Sequence, residues 1–359
     1  MKIGLIGLPL VGKTTLYNLL THSDAAVSKF LTGKTEPNLG MAKVPDLRID
    51  WLSQLFKPKK TIYAQIETTD LPGLSHDTAS GSNAFLQNIR QVDALVHVIR
   101  TFEANDIEHV DGKVDPLRDF NNVNAELLLA DMDFVEKRLQ RIQSGKKVTA
   151  EQKIEQEALQ KYLQALEEEK PLREVMLTEE ETSSIQHYAF FTNLPQLVVV
   201  NVDETQFKSG NYPNQDTLEK AVKEKGYGYL VLCAEMENEI AKLPEEDQQL
   251  FMEDLGIQEA GTYRLARSMY ELVGLISFFT VGEDEVRAWT IEKNLEAKKA
   301  AGKIHSDLER GFIRAEVVAY HDLKEQGTMN KCKEKGLLRL EGKEYKVKDG
   351  DILNIRFNV

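Results

Sequence analysis

Two hydrophobic periodicities alternate along this 359-residue chain and divide it into three regions. Short apolar runs of strand type recur at residues 2–6, 61–70, 94–102, 196–202 and 229–234. "ALVHVIRTF" (94–102) is a continuous run, as in a strand buried on both faces, whereas "TIYAQIETTD" (61–70) alternates. Helical spacing fills the intervals, beginning with Leu16, Leu19 and Leu20 after Lys13. Strands separated by helices predict an α/β fold with a mostly parallel sheet.

From about residue 121 to 169 the pattern is purely helical, with no Pro and one Gly, Gly145. Leu128, Met132, Val135, Leu139 and Ile142 recur in steps of four and three, and Leu159, Leu163 and Leu166 repeat the spacing. Each set lies on one helix face, so a helical hairpin is expected between the third and fourth strands. Its charged residues, "EEEK" included, read as a solvated face. Near residue 278 strand alternation returns in "SFFTVGEDEVRAWTI", "RAEVVAY" and "ILNIRFNV", with a "DGD" turn expected between two strand-like runs. That predicts a separate β-rich C-terminal domain.

The first strand runs into Gly7, Gly12, Lys13 and Thr14, spaced G-x-x-x-x-G-K-T. Between a strand and a helix, such glycines let successive N–H groups point inward at phosphate. Lys13 would reach the β- and γ-phosphates and the Thr14 hydroxyl would ligate Mg²⁺, with Leu10, Val11 and Thr15 completing the cradle. Asp70-Leu71-Pro72-Gly73 closes the second strand as D-x-x-G, in which the Asp holds the metal and the Gly N–H meets the γ-phosphate. The two motifs together indicate an NTPase of the GTPase type. The fourth strand ends in Asn201-Val202-Asp203-Glu204, where guanine readers carry N-K-x-D. Without the Lys, and with Glu204 as the last acid, guanine loses its advantage and ATP becomes a candidate substrate beside GTP. Cys233-Ala234 stand where a base-contacting S-A-K stretch is expected, with Glu235 replacing the Lys.

Composition sets the boundaries of this reading. The net charge of −13 opposes nucleic-acid binding by the molecule as a whole. From residue 291 onward, 15 Lys and Arg face 12 Asp and Glu, so an RNA surface would be sought at the C-terminal end. Cys233 and Cys332 have no metal-ligand or redox spacing. No apolar run has the length of a membrane span and the start lacks signal-peptide character; a cytoplasmic protein with no membrane partner is expected.

The runs "GLPLVGKTTLYNLLT", "EPNLG", "VPDLRIDWL", "FLQNIRQVDALVHVIRTFE", "DIEHVDGKVDP", "AELLLADMDFVEK", "NVDE" and "CAEMENEIAKLPEED" carry a family resemblance. So do "FFTVGEDEVRAWTI", "AAGKIHSDLERGFIRAEVVAY" and "EGKEYKVKDGDILNIRFNV" near the C-terminus. On them the chain resembles, over nearly its whole length, the Obg-like ATPases, or YchF family, of translation-factor-related P-loop GTPases, as a divergent member. The resemblance implies a P-loop G domain (1–120 and 190–276), a coiled-coil insert (121–189) and a C-terminal β-grasp domain of the TGS type (277–359). It implies slow hydrolysis and association with ribosomes or a ribosome-associated factor; the C-terminal charge balance adds RNA contact through that domain as an expectation. The resemblance also implies a hydrophobic residue, here Leu74, in place of the catalytic Gln of Ras-like enzymes. His109, at a family motif position, is then the candidate for orienting the attacking water; His97, inside a strand, reads as a core histidine. Three departures stand out. Leu10 replaces the family's usual Asn. Lys34 falls at the switch Thr that would complete the metal shell, leaving either Thr35, one residue later, as substitute ligand or a switch with no metal ligand at all. The second switch, "LPGLSHDTASGSNAFL", is short.

Overall fold

The computed structural model of the protein describes residues 1–27, 36–74, 85–104, 107–145 and 148–358. The chain forms two compact units, Met1–Gly40 with Glu67–Thr262, and Met41–Ile66 with Tyr263–Val359.

The first unit is built on a six-stranded sheet. Its strands are β1 (Lys2–Ile6), β2 (Asn38–Lys43), β4 (Gln65–Asp70), β5 (Ala94–Arg100), β6 (Gln196–Asn201) and β7 (Gly228–Leu232), in the order β2-β4-β1-β5-β6-β7. The pairs β1–β4, β1–β5, β5–β6 and β6–β7 are all parallel. Every residue of β5 and β6 is buried, as expected of central parallel strands covered on both faces. His97 lies fully inside β5, stacked on Phe120 and within 3.2 Å of the Gln196 amide. Burial pushes its imidazole down to about 3, so it stays neutral in the core.

The helical hairpin joins β5 to β6. Asp115 caps the first helix, Pro116–Gln143, with Pro at its opening turn, and a Thr149–Gln152 capping box starts the second, Ala150–Glu167. Val135, Leu139 and Ile142 pack with Leu159 and Leu166, while Leu128, Met132 and Leu163 are partly buried against them. The first helix begins five residues before the periodic stretch because its opening turns serve another core, where Phe120 packs with Val198 and Val200 of β6.

Asp131 ties this helix to the returning chain. It is almost fully buried and accepts hydrogen bonds from the N–H of Phe191 and of Thr192 and from the Thr192 hydroxyl, at 2.8–2.9 Å. Burial outweighs those donors and pushes its carboxyl up to about 6.

The second unit carries the other sheet, with β3 (Lys60–Ile62), β8 (Leu275–Val281), β9 (Glu285–Glu292), β10 (Phe312–Ala319), β11 (Arg339–Glu341) and β12 (Asp351–Phe357). The order is β11-β10-β12-β8-β9-β3. Helix Ala297–Ile304 lays Ala297, Ala300 and Ala301 against Phe278, Ile291 and Leu353, small side chains that allow close approach of helix and sheet.

Two expectations are corrected here. The alternating run 61–70 is not one strand: β3 pairs with β9, from Lys60↔Glu285 to Ile62↔Arg287, while β4 pairs with β1. Alternation continues through Tyr63 and Ala64, but the hydrogen-bonding partners change there. Consequently 41–66, expected in the G domain, clusters with the C-terminal body. Arg48 makes a bidentate pair with Asp349 there, and Trp51 packs edge-on against Tyr320. Secondly, the "DGD" turn does not join two strands. Residues 342–348 form no strand: they run beside 295–298, through a Glu296↔Lys346 bridge and backbone hydrogen bonds from Ala297 to Tyr345 and from Val347 to Leu295, and the turn seats Asp349 on the Ser277 N–H before β12 begins.

Replacing Asp131 with Ala strands three buried donors and should cost about 2–4 kcal/mol in urea unfolding; an unchanged midpoint would contradict the anchoring role. Because its folded pKa lies above its unfolded value of about 4, Asp131 favours the fold at low pH. That contribution declines as pH climbs toward about 6, and the variant should lack this part of the pH dependence.

Candidate nucleotide-binding site

Helix Lys13–Thr21 begins where the loop after β1 turns back on itself. Gly7, Leu10 and Gly12 all have positive φ, at 140°, 61° and 99°. A Cβ on Gly7 would run into the Val98 carbonyl oxygen of β5, and one on Gly12 would lie 2.5 Å from the Asn201 amide nitrogen. Both glycines are therefore required by close approach as well as by conformation. Leu10 has neither advantage: an L-residue with a bulky side chain is held in the left-handed region.

The buried Lys13 ammonium donates to the carbonyls of Leu8 (2.6 Å) and Gly7 (3.2 Å). The Thr14 hydroxyl donates to Asp70 Oδ2 at 2.9 Å, and Asn38 Nδ2 donates to the same oxygen at 3.0 Å. Two predicted metal-binding residues, 56 positions apart, are thus brought together at the mouth of the loop. Gly73 follows, with no room for a Cβ beside Pro9. The N–H of Leu74 donates to the Gly7 carbonyl and its side chain is buried in the core. Its apolar character has a packing function, and it is not displayed to a phosphate in this conformation.

On the base side, Asn201 is the junction. Its amide donates to the Val11 carbonyl (3.0 Å) and its side-chain oxygen accepts from the Ala234 N–H (3.0 Å), all within the interior. Val202 and Cys233 are not ligand-facing side chains: both lie in the core with Val198 and Met236, and burial raises the Cys233 thiol pKa. Asp203 caps helix Glu204–Ser209 with a capping box to Gln206. Glu204 is exposed at the first turn of that helix and paired with Lys208. Thr15 is half-buried on helix Lys13–Thr21. Lys34, Thr35 and most of the second switch lie outside the described residues.

His109 sits in a different constellation. Its Nε2 lies 2.8 Å from Asp119 Oδ2, with both side chains nearly inaccessible, and its Nδ1 accepts from the Asp111 N–H. That second bond assigns the ring proton to Nε2, which donates to Asp119. Arg118 donates to the other Asp119 oxygen at 2.8 and 3.1 Å. Burial raises the Asp119 pKa against the pull of the Arg118 guanidinium and the His109 hydrogen bond. His109, Asp111 and Asp119 have the spacing of a metal cluster, but the Arg118 guanidinium already lies against both carboxylates, 3.6 Å from Asp111 and 2.8 Å from Asp119.

Two contributors were missed from sequence. Asn38 lies within the quoted "EPNLG" run, where its proximity to Asp70 has no local signature. Arg100, fully buried at the end of β5, donates to the carbonyls of Phe102 and Ile107 and so holds the loop leading to His109.

Comparisons with known proteins agree with this architecture. A family model named YchF-GTPase_C, described as a protein of unknown function, matches residues 275–358, and one described as a 50S ribosome-binding GTPase matches residues 2–135. The chain is 46% identical to the ribosome-binding ATPase YchF of Bacillus subtilis, with 100% of both sequences covered. Against the protein of that name from Haemophilus influenzae it is 42% identical, covering 100% of this chain and 99% of the relative. The solved structure of the Schizosaccharomyces pombe YchF GTPase superposes with a TM-score of 0.86 at 32% identity, over 99% of this chain and 97% of that one.

A leucine in the left-handed region costs roughly 1–2 kcal/mol, and Asn tolerates it better. Leu10→Asn should therefore raise stability by roughly 0.5–1 kcal/mol in urea titration; a lowered midpoint would show that Leu10 packing outweighs the strain.

Proposed function

The chain belongs to the YchF family of P-loop NTPases, and from that premise we propose that it is a ribosome-associated switch that binds and slowly hydrolyses ATP or GTP. The observation that carries the reading is the preformed cradle: positive-φ glycines, a buried Lys13, Thr14 beside Asp70, and Asn201 locking the loop to the base side. The N-terminus of helix Lys13–Thr21 adds its own positive end to that anion site.

The donor set fits Mg²⁺, a hard cation that takes oxygen ligands. The Thr14 hydroxyl and the Asp70 carboxylate would hold it; when bound, it neutralises charge on the β- and γ-phosphates. Lys13, now occupied by the loop's own carbonyls, would exchange them for phosphate oxygens. The N–H of Gly73 would meet the γ-phosphate.

Base choice rests on Asn201, Glu204 and the backbone at Cys233 and Ala234. With no Lys after Asn201 and with Glu204 paired to Lys208, no carboxylate is dedicated to guanine, and ATP is admitted. His109 is the group we assign to orienting water, and it must leave Asp119 to do so. Leu74 cannot substitute, having no donor or acceptor in its side chain. Regulation of translation or a stress response in the cytoplasm is the role this implies, with the C-terminal domain as a further RNA-contacting surface. The competing reading is a nucleotide-binding scaffold with negligible hydrolysis, favoured by the His109–Asp119 hydrogen bond.

In competition titration with labelled ATP, GTP should bind within tenfold of ATP, and Lys13→Ala should weaken both by at least tenfold. A hundredfold preference for GTP would overturn the base assignment. Ribosome co-sedimentation should depend on which nucleotide is present, and absence from the pellet in every state would remove the ribosome from the account.

A further inference from the structure

At the root of the helical hairpin lies a groove of about 470 Å³ that the nucleotide site does not use. Arg90, Lys137, Arg138 and Arg141 line it, over a floor that includes Phe134, Phe191 and Tyr188. The helix supplies Lys137, Arg138 and Arg141 from consecutive turns of one side, within a single helical rise of about 6 Å. Asp133 is the acid in the lining, and it is paired with Lys137; Arg138 is paired with Glu155. Arg141 is exposed and has no ion pair among the described residues, while Arg90 is exposed and faces the charge of the buried Asp131 carboxylate.

The guanidinium groups are also oriented by the rings. Arg90 lies over Phe191 at 5.6 Å and over Phe134 at 6.0 Å, and Arg138 lies over Tyr188 at 6.0 Å. A ring against the face of a guanidinium leaves its in-plane N–H groups to donate in pairs, the arrangement that phosphate accepts. At Arg90 no hydrogen bond from those groups is seen among the described residues, whereas at Arg138 they are engaged by Glu155 and a phosphate would have to share or displace it. In a chain of net charge −13 this is a basic island.

We propose that this groove docks single-stranded RNA, with phosphates on Arg90, Lys137, Arg138 and Arg141 and a base against the aromatic floor. It deepens the proposed ribosome association and rests on that reading for the source of the RNA. An acidic protein segment would satisfy the charges but gives no reason for the rings. RNA brings both a phosphate spacing and flat bases that stack on aromatic side chains. Sequence charge alone pointed to the C-terminal end, because Asp133 and Glu136 offset the cluster in a linear count and Arg90 joins it only in the fold.

The test uses the full-length chain and fluorescein-labelled oligouridylate, read by anisotropy across a potassium chloride series. The wild type should bind with a log–log salt slope near −2 to −3, as expected for three to four phosphates at about −0.7 each. Arg90→Ala with Arg141→Ala should weaken binding at least tenfold and flatten the slope by about 1.4. The double Arg→Lys variant should retain most of the affinity. ATP affinity and the urea midpoint report folding and should not move. Unchanged oligouridylate binding in the double Ala variant overturns the proposal. So does loss of ribosome pelleting with RNA affinity intact, which would make the groove a site for ribosomal protein. Should the wild type not pellet at all, the ribosome reading fails while the anisotropy series still decides the groove.

Discussion

The side-chain amide of Asn201 joins segments that are 190 and 33 residues away in sequence, accepting from Ala234 and donating to Val11 in the dry interior. A hydrogen bond there is stronger than in water, and an unpaired amide would be correspondingly costly. Gly12 is obligatory largely because this amide occupies the space a side chain would need. The register of β6 on β5 and β7 sets where Asn201 arrives, so the whole sheet determines the shape of the cradle. Phosphate side and base side are held by one residue. A loop closed this way binds without first paying an ordering entropy.

Hydrolysis has the opposite character. The residues proposed to hold nucleotide are preassembled, whereas His109 is engaged with a buried carboxylate in the loop and helix that follow β5. A hydrogen bond to a charged, buried partner contributes about 1.5–3 kcal/mol. If His109 must leave it to reach water, the competent fraction falls roughly 10- to 100-fold. Slow turnover then follows from the geometry without any defect in binding. A partner that released the Asp119 contact would accelerate the reaction by the same factor, which makes the loop from Arg100 to Pro116 a natural point of control.

Much of this was legible in the sequence because it is local. The P-loop glycines, the D-x-x-G strand end and the heptad-like spacing of Leu128 to Ile142 are read within a few residues of themselves. What was not legible depends on distant pairing. Nothing in 61–70 announces that its first half will bond with β9, some 225 residues later, and its second half with β1. Val202 and Cys233 match a base-reading motif by position, but the alternation of a buried strand and a helix cap turns their side chains inward. The Asp119 partner of His109 is on the next helix, and the electrostatic value of Arg90 appears only when residues 133–141 fold beside it.

The central claim is that this chain holds nucleotide in a finished cradle and cuts it through a histidine that is normally restrained. Single-turnover hydrolysis of labelled ATP, measured beside ATP affinity for the wild type and His109→Ala, separates the two halves. The account predicts affinities within about twofold and a rate at least tenfold lower in the variant, a loss of roughly 1.4 kcal/mol or more in transition-state stabilisation. Equal rates would contradict it, leaving His109 as a fastening for the helix it touches.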